Sequence, residues 1–465
     1  MGEQHVLRMA TSQRSRLALV VFAGMCAVFA AARIAAVAGR AATRLPDTAG
    51  YLELSFVGHG RPWVVPLLYE VLASDGARVV AQCAIGIVCW CALAYVVASV
   101  VSRPWLQAAA VVGVLLVGAA PQVTRWDLTI ASESFALSFT VAALAAWLLL
   151  VARRTPARLA LVWVATLLWA FTREAHLVLL PAVVVLLAIS LLWRPARRRH
   201  MWLVVALVPV ALWGVVTVLN DRAMTEYNTY GLIELRVLGR PDRTRWFADH
   251  GMPASPQIVA SKSFVPRGLV PASVLRAARI PVGLNPPELV VRGGRAYVRW
   301  MRDDGPSRYL EWLATHPGYT LRQPLANIDL MVVPALDGFT PMVDARLIYP
   351  AFVTELVFES GLFLVLLLVA ALLVTLVLVF RHRANRFVLF AWLVAGAGVA
   401  LLYVSWHGAA IEIGRHAIVA SVALRLGAFM ALVFGVDRLL DAYLRSRRRR
   451  ACRPGARVPW GRGCG

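Results

Sequence analysis

Ionisable side chains are sparse in this chain and gather in a few short groups. Asp47 stands in the segment RLPDTAGYLELSFVGHGRPWVVPLLYEVL, four residues before Tyr51 and upstream of a glycine-bearing turn, Arg61-Pro62 and an apolar stretch. A carboxylate held there, at a lipid–water boundary, could take the proton of a hydroxyl whose reaction partner is carried by a lipid. The plainer reading of the same pattern is a solvated loop aspartate. Further groups are Arg125, Asp127 and Glu133; Arg173, Glu174 and His176; Glu355 and Glu359; and His407, Glu412, Arg415 and His416. Charges in or beside apolar blocks are costly unless paired or solvated, which makes each a candidate for function. Glu133 could orient an arginine, bind a metal or pair with Arg125. Glu355 and Glu359, four apart on one helix face, could hold a divalent cation, but a salt bridge to Arg425 is preferred. His59, His176 and His407 are scattered without an H-E-x-x-H spacing, which argues against zinc.

The elements that must position these groups are apolar helices. The chain has 465 residues, 60% hydrophobic and 16% charged, with a mean hydropathy of +0.68. A soluble domain carries roughly 45–50% apolar and about 25% charged residues. Here the apolar residues form blocks near the length that spans a hydrocarbon layer, and lipid requires such blocks to be helical. An all-α polytopic membrane protein follows. Blocks at about 17–38, 78–101, 105–120, 130–151, 159–172, 175–193, 201–219, 351–380, 387–406 and 417–437 give about ten spans. The first block is longer than a signal-peptide core, so it reads as an uncleaved helix despite the small residues Ala36-Val37-Ala38.

A net charge of +23 does not point to nucleic acid, because its arginines lie between the blocks and in the tail. The connectors RRTPAR (153–158), RPARRR (194–199), RHRANR (381–386) and the tail RSRRRR (445–450) alternate with poorer ones, as the positive-inside rule requires if both termini are cytoplasmic. Lys262 is the only lysine, which suggests the codon bias of a GC-rich bacterium and a bacterial plasma membrane. Cys26, Cys83, Cys89 and Cys91 fall in apolar blocks and Cys452 and Cys464 in the tail, without metal or redox spacing. The chain divides into membrane regions at 1–219 and 351–437, an outward segment at 220–350 and a basic tail at 438–465. The first outward loop, 39–77, contains an interfacial helix over 62–73. The 220–350 segment reads as a small extracytoplasmic domain of mixed structure, with a hairpin over 287–300 turning at Gly293-Gly294. Its Trp246, Tyr297, Trp300, Tyr309 and Trp312 either stack on sugar rings or form a small core.

The order D-x-x-x-Y, R-P-x-x-x-P-L-x-Y and a span opening with Gln82 resembles the GT-C membrane glycosyltransferases, nearest to the protein mannosyltransferase and lipid A aminoarabinose transferase branch. The likeness extends to S-E-S (132–134), T-R-E (172–174) and E-x-x-R-H (412–416), and so covers the membrane portion in order. The chain departs from that pattern in having a single aspartate in the first loop, without an adjacent acidic partner or a D-x-D. The resemblance implies transfer of a sugar from a polyprenyl-phosphate carrier to an envelope glycan, lipid or protein, probing no nucleic acid and working beside membrane lipid. It implies Asp47 as general base, with Arg415, His416 and Arg173 on the donor phosphate. Tyr51, Arg61, Asp127, Glu133, Glu174 and Glu412 would support them, and a divalent cation is an open cofactor. Snorkelling by Arg415 is its structural alternative. A transporter, a lipid flippase or an inactive scaffold of the same architecture are the competing functions; the first two usually show repeats and midplane charges, and here polar groups cluster toward one face.

Overall fold

The computed structural model describes residues 2–45, 47–54, 61–192, 208, 211–214, 222–260, 294–333, 351–381, 385–410 and 412–451. His59, Lys262, Cys452, Cys464 and most of the expected span at 201–219 lie outside the described residues.

The membrane portion begins with α1 (Gly2–Val37), a short strand β1 (Thr43–Arg44), α2 (Thr48–Leu52) and α3 (Val64–Val71). Then come α4 (Asp75–Ser99), α5 (Pro104–Ala119), α6 (Pro121–Thr124) with a 3-10 turn over Arg125–Leu128, β2 (Thr129–Ile130), α7 (Glu133–Ala152), α8 (Pro156–Ala170) and α9 (Glu174–Leu192). The helices α10 (Arg222–Arg236), α11 (Pro241–Asp249), α12 (Pro256–Ala260), α13 (Gly294–Asp303), α14 (Gly305–Thr315), α15 (Pro317–Ala326) and α16 (Asp329–Val332) follow. The chain closes with α17 (Ala351–Thr354) and its π turn Glu355–Glu359, α18 (Gly361–Phe380), α19 (Arg386–Gly408) and α20 (Ile413–Ala451).

Among the described residues six helices are long and apolar enough to cross a bilayer, and seven if α5 and α6 with its 3-10 turn, bent by 52°, count as one broken span. The chain is therefore a multi-pass helical membrane protein. The expected spans at 159–172 and 175–193 correspond to shorter apolar helices, Pro156–Ala170 and Glu174–Val185. Ser74, Thr155, Ser360 and Asn385 each accept a backbone N–H near the start of the helix that follows, which fixes those boundaries.

α20 is the most buried of the crossing helices. It packs against α19 at backbone distance because both carry glycine there. A Cβ on Gly427 would lie 2.5 Å from the Ala395 nitrogen, and one on Gly398 would lie 2.8 Å from the Leu424 nitrogen. Small residues serve this purpose in membranes, where burial against lipid gains little and close packing must supply the contact energy.

Three sequence expectations are corrected. The segment 351–380 is not one continuous helix, because a π turn over Glu355–Glu359 breaks it before Ser360. Arg425 is not salt-bridged to Glu355 or Glu359. Its guanidinium instead donates to the carbonyls of Val357 (2.7 Å), Phe358 (3.0 Å) and Val332 (2.8 Å) and to the Ser421 hydroxyl (2.5 Å). The broken turn leaves carbonyls without helical partners, and the buried arginine supplies the missing donors. The third correction is the hairpin over 287–300: its described part, from Gly294, is helix α13. The described residues of 222–333 contain helices only, and Tyr297, Trp300, Tyr309 and Trp312 are buried together as their core, while Trp246 packs on that core half-buried.

The connectors sort to two ends of the bundle. Ser102 N–H donates to Asp437 and Arg103 approaches Asp441, while Arg386 donates to the Ala152 carbonyl, so these basic turns share an end. The first loop, the heads of α7, α9 and α20, and the π turn lie at the other.

Candidate functional site

The first loop is pinned to the head of α7 by backbone and side-chain bonds. β1 pairs in parallel with β2, Thr43 opposite Thr129 and Arg44 opposite Ile130. The Thr48 hydroxyl accepts from Leu45 N–H (2.7 Å) and donates to the Ile130 carbonyl (2.8 Å), and the Ser132 hydroxyl donates to the Tyr51 oxygen (3.2 Å). Behind them the Tyr69 hydroxyl lies 2.6 Å from Gln82 Oε1, and the Gln82 amide donates to the Asp127 carbonyl. Val64, Val65 and Tyr69 of α3 are buried against this framework, while Val71 is exposed. Asp47 is thereby held at the start of α2 with its side chain free of any capping bond.

Asp47 faces the head of α20. Its Oδ2 accepts from Arg415 Nη2 at 2.8 Å and from Arg61 Nη2 at 3.3 Å. Arg415 Nε donates to Glu133 Oε1 at 2.7 Å and its Nη1 to Glu412 Oε2 at 2.9 Å. Glu133 also lies 3.5 Å from Arg173, whose Nη2 meets His416 Nδ1 at 2.9 Å. Arg61 extends the network to Glu174 (3.1 Å) and sits 4.8 Å above the Tyr51 ring. The Arg415 guanidinium thus occupies the point at which three carboxylates converge. Asp47, Tyr51, Arg61, Glu133, Arg173, Glu174, Glu412, Arg415 and His416, all singled out from sequence, come together from five parts of the chain.

Asp127 lies outside this cluster. It forms a fully buried pair with Arg33 of α1 and also accepts from the Ser134 hydroxyl. Of the alternatives the sequence left open for Glu133, an arginine, a metal or Arg125, the pairing described is to Arg415, with Arg173 at 3.5 Å. His176 is fixed in its turn, with Nδ1 2.9 Å from the Trp169 carbonyl and its ring stacked on Trp169. Glu359 accepts from Gln122 (3.1 Å), and His407 Nε2 lies 3.0 Å from the Thr320 carbonyl. Among the described residues no three His, Cys, Asp or Glu side chains are arranged to hold a metal ion.

Three positioning residues escaped the sequence reading. Arg33 and Thr48 fix the loop–helix framework. Arg236 of α10 donates to the carbonyls of Trp406 and Ala409 (2.7 Å to the latter) and stacks over Trp406, tying the helical segment to the turn before Glu412. Glu412 itself has φ +52°, a strained value for a residue with a side chain. A lone arginine inside an apolar block was the available signal for Arg33.

The electrostatics of the loop follow from the geometry. Burial alone would raise the Asp47 carboxyl, but the Arg415 and Arg61 guanidiniums outweigh it and hold the group at about 2. Burial pushes the Tyr51 phenol up to about 12, so it stays a neutral hydrogen-bonding group. Two carboxylate oxygens, Asp47 Oδ1 and Glu133 Oε2, are buried and accept no hydrogen bond from the described chain. A charged acceptor left bare inside a protein is costly, so these two oxygens are places where a water or another donor would complete the bonding.

No known protein-family model matches the chain, and no curated protein matches it.

Proposed function

We propose that this protein is a membrane glycosyltransferase that moves a sugar from a polyprenyl-phosphate carrier to a hydroxyl of an envelope acceptor, with inversion. The observation that carries the reading is the meeting of Asp47 with Arg61 and Arg415, joined through Glu133 to Arg173, at the bundle end opposite the basic connectors. By the positive-inside rule the basic end is cytoplasmic, which turns the carboxylate–arginine cluster outward, toward lipid-carried substrates. Ten spans, cytoplasmic termini and an outward 220–350 segment belong to the same proposal.

In the proposed reaction Asp47 Oδ1 takes the proton of the acceptor hydroxyl. The hydroxyl oxygen forms its bond to the anomeric carbon from the face opposite the phosphate. The bond from that carbon to the phosphate oxygen breaks, and its electron pair leaves with the phosphate. One carboxylate suffices for such an inverting displacement through an oxocarbenium-like state. Arg415, Arg173 and His416 supply the charge and donors that stabilise the departing phosphate. A flippase or transporter has less support, because the charges inside the bundle, Arg33, Asp127 and Arg425, are closed off by their own partners.

The test is envelope glycan analysis of a deletion strain complemented with wild type or Asp47→Asn. The expected outcome is a sugar linkage lost on deletion, restored by wild type and not by the variant. An unchanged glycan with an altered lipid distribution between leaflets would favour a flippase instead.

A further inference from the structure

A bidentate guanidinium offers two edges to an oxyanion, Nε with Nη2 and Nη1 with Nη2. In Arg415 both edges share the nitrogen that holds Asp47 Oδ2 at 2.8 Å, and Nε and Nη1 are occupied by Glu133 and Glu412 at 2.7 and 2.9 Å. Each nitrogen of Arg415 is thus engaged, and release of Asp47 frees Nη2 to donate to a phosphate oxygen. The charge balance makes the same point. Asp47, Glu133, Glu174 and Glu412 face Arg61, Arg173 and Arg415, which leaves one formal negative charge before any anion arrives. A buried site of that sign repels a phosphate unless one carboxylate is released or takes up a proton.

We propose that Arg415 is exchanged between Asp47 and the donor phosphate, so that arrival of the isoprenoid phosphate detaches Asp47 and turns it into a working base. The inference rests on the glycosyltransferase reading above and deepens it. Before the exchange Asp47 is a poor base, since two guanidiniums share one of its oxygens. After it, Asp47 keeps only the longer Arg61 contact of 3.3 Å, which holds it in place, and Oδ1 is open to the acceptor hydroxyl. The proton it takes neutralises Asp47 as the departing phosphate gains its further negative charge. Besides Arg61 and Arg415, the groups acting on Asp47 are Tyr51 from α2 and His416 from α20; Glu133 of α7 and Glu412 lie beyond Arg415, Glu174 of α9 beyond Arg61, and Arg173 beyond Glu133. The exchange also times the base: without a bound phosphate there is no free base at the site, and with one the base appears beside the anomeric carbon.

Coupling of this kind is reciprocal, so a neutral residue at position 47 must tighten phosphate binding. The experiment measures the affinity of the full chain in nanodiscs for decaprenyl phosphate, with wild type, Asp47→Asn and Glu174→Gln. Glu174 carries the same charge and touches Arg61 but not Arg415. The expected result is about tenfold tighter binding for Asp47→Asn and less than about threefold for Glu174→Gln. Equal or weaker binding by Asp47→Asn overturns the exchange, and so does an equal gain in both variants, which would be a net-charge effect alone. Absence of binding by every protein overturns the donor reading and the exchange with it. If Asp47→Asn does not fold, the wild-type pH profiles decide. The acid limb of kcat, which reports the bound enzyme, should lie at least about one pH unit above that of kcat/KM, which reports the free enzyme. Superimposed limbs overturn the exchange.

Discussion

Two buried arginine–carboxylate clusters in this molecule have nearly the same shortest contact and opposite character. Arg33 and Asp127 meet at 2.8 Å with both side chains fully buried, and every group is used: Nε and Nη2 go to the carboxylate, Nη1 to the Gly118 carbonyl, and Ser134 adds a donor to Asp127. Arg415 and Asp47 also meet at 2.8 Å, but Asp47 is 18% exposed, and Asp47 Oδ1 and Glu133 Oε2 are left without partners. A closed cluster has nothing to offer a ligand, and disturbing it harms only the fold. An open one is incomplete alone, and its unfilled acceptors point to chemistry. On the proposed reading, the unfinished cluster is the one that works on a ligand and the finished one only holds the fold.

The comparison can be broken or sharpened by substitution. Arg33→Met leaves Asp127 as an uncompensated buried charge and should cost about 3–5 kcal/mol, read as a large fall in melting temperature or in folded yield in detergent. Adding Asp127→Leu should recover most of that loss; no recovery would show that the pair has a role beyond neutralising itself. Next in size, Gly427→Ala should cost about 1–3 kcal/mol, because the new methyl meets α19 backbone, not a side chain that can turn aside. Asp47 should contribute on the order of 2 kcal/mol through its depressed acidity. Its folded value lies below its unfolded one, so that stability is present above about pH 4 and lost as pH falls toward about 2. An acid titration of melting temperature should show this step in wild type and a smaller one in Asp47→Asn. The smallest effect is expected for Glu174→Gln, below about 1 kcal/mol, since that carboxylate is 31% exposed and its pair with Arg61 is partly solvated.

The helical membrane class and most of the site were legible in the sequence for a geometric reason. Spans that alternate direction return every second connector to the same end, so Asp47, Glu133, Arg173 and Glu412 had to share a face once the blocks were counted. Which partner each charge takes was not legible, because that depends on helix rotation and depth. Arg33 reads as a blemish in an apolar block until α1 is turned toward Asp127. Arg425 called for a carboxylate in sequence and found carbonyls, since the π turn at Glu355–Glu359 is a local break that no composition announces. The hairpin expected at Gly293-Gly294 was read from glycine and β-branched residues, yet from Gly294 the chain is a helix whose Tyr297, Trp300 and Met301 are buried together. Tertiary burial there outweighs local strand preference.

The central claim is that the open cluster performs transfer with Asp47 as its base. The most direct measurement is the rate of sugar transfer from a polyprenyl-phosphate sugar by purified protein in proteoliposomes, comparing wild type with Asp47→Asn at neutral pH, well below the melting temperature of both. The expected result is turnover by wild type and a loss of about 10²–10⁴-fold in the variant. Equal rates in the two proteins would contradict the assignment.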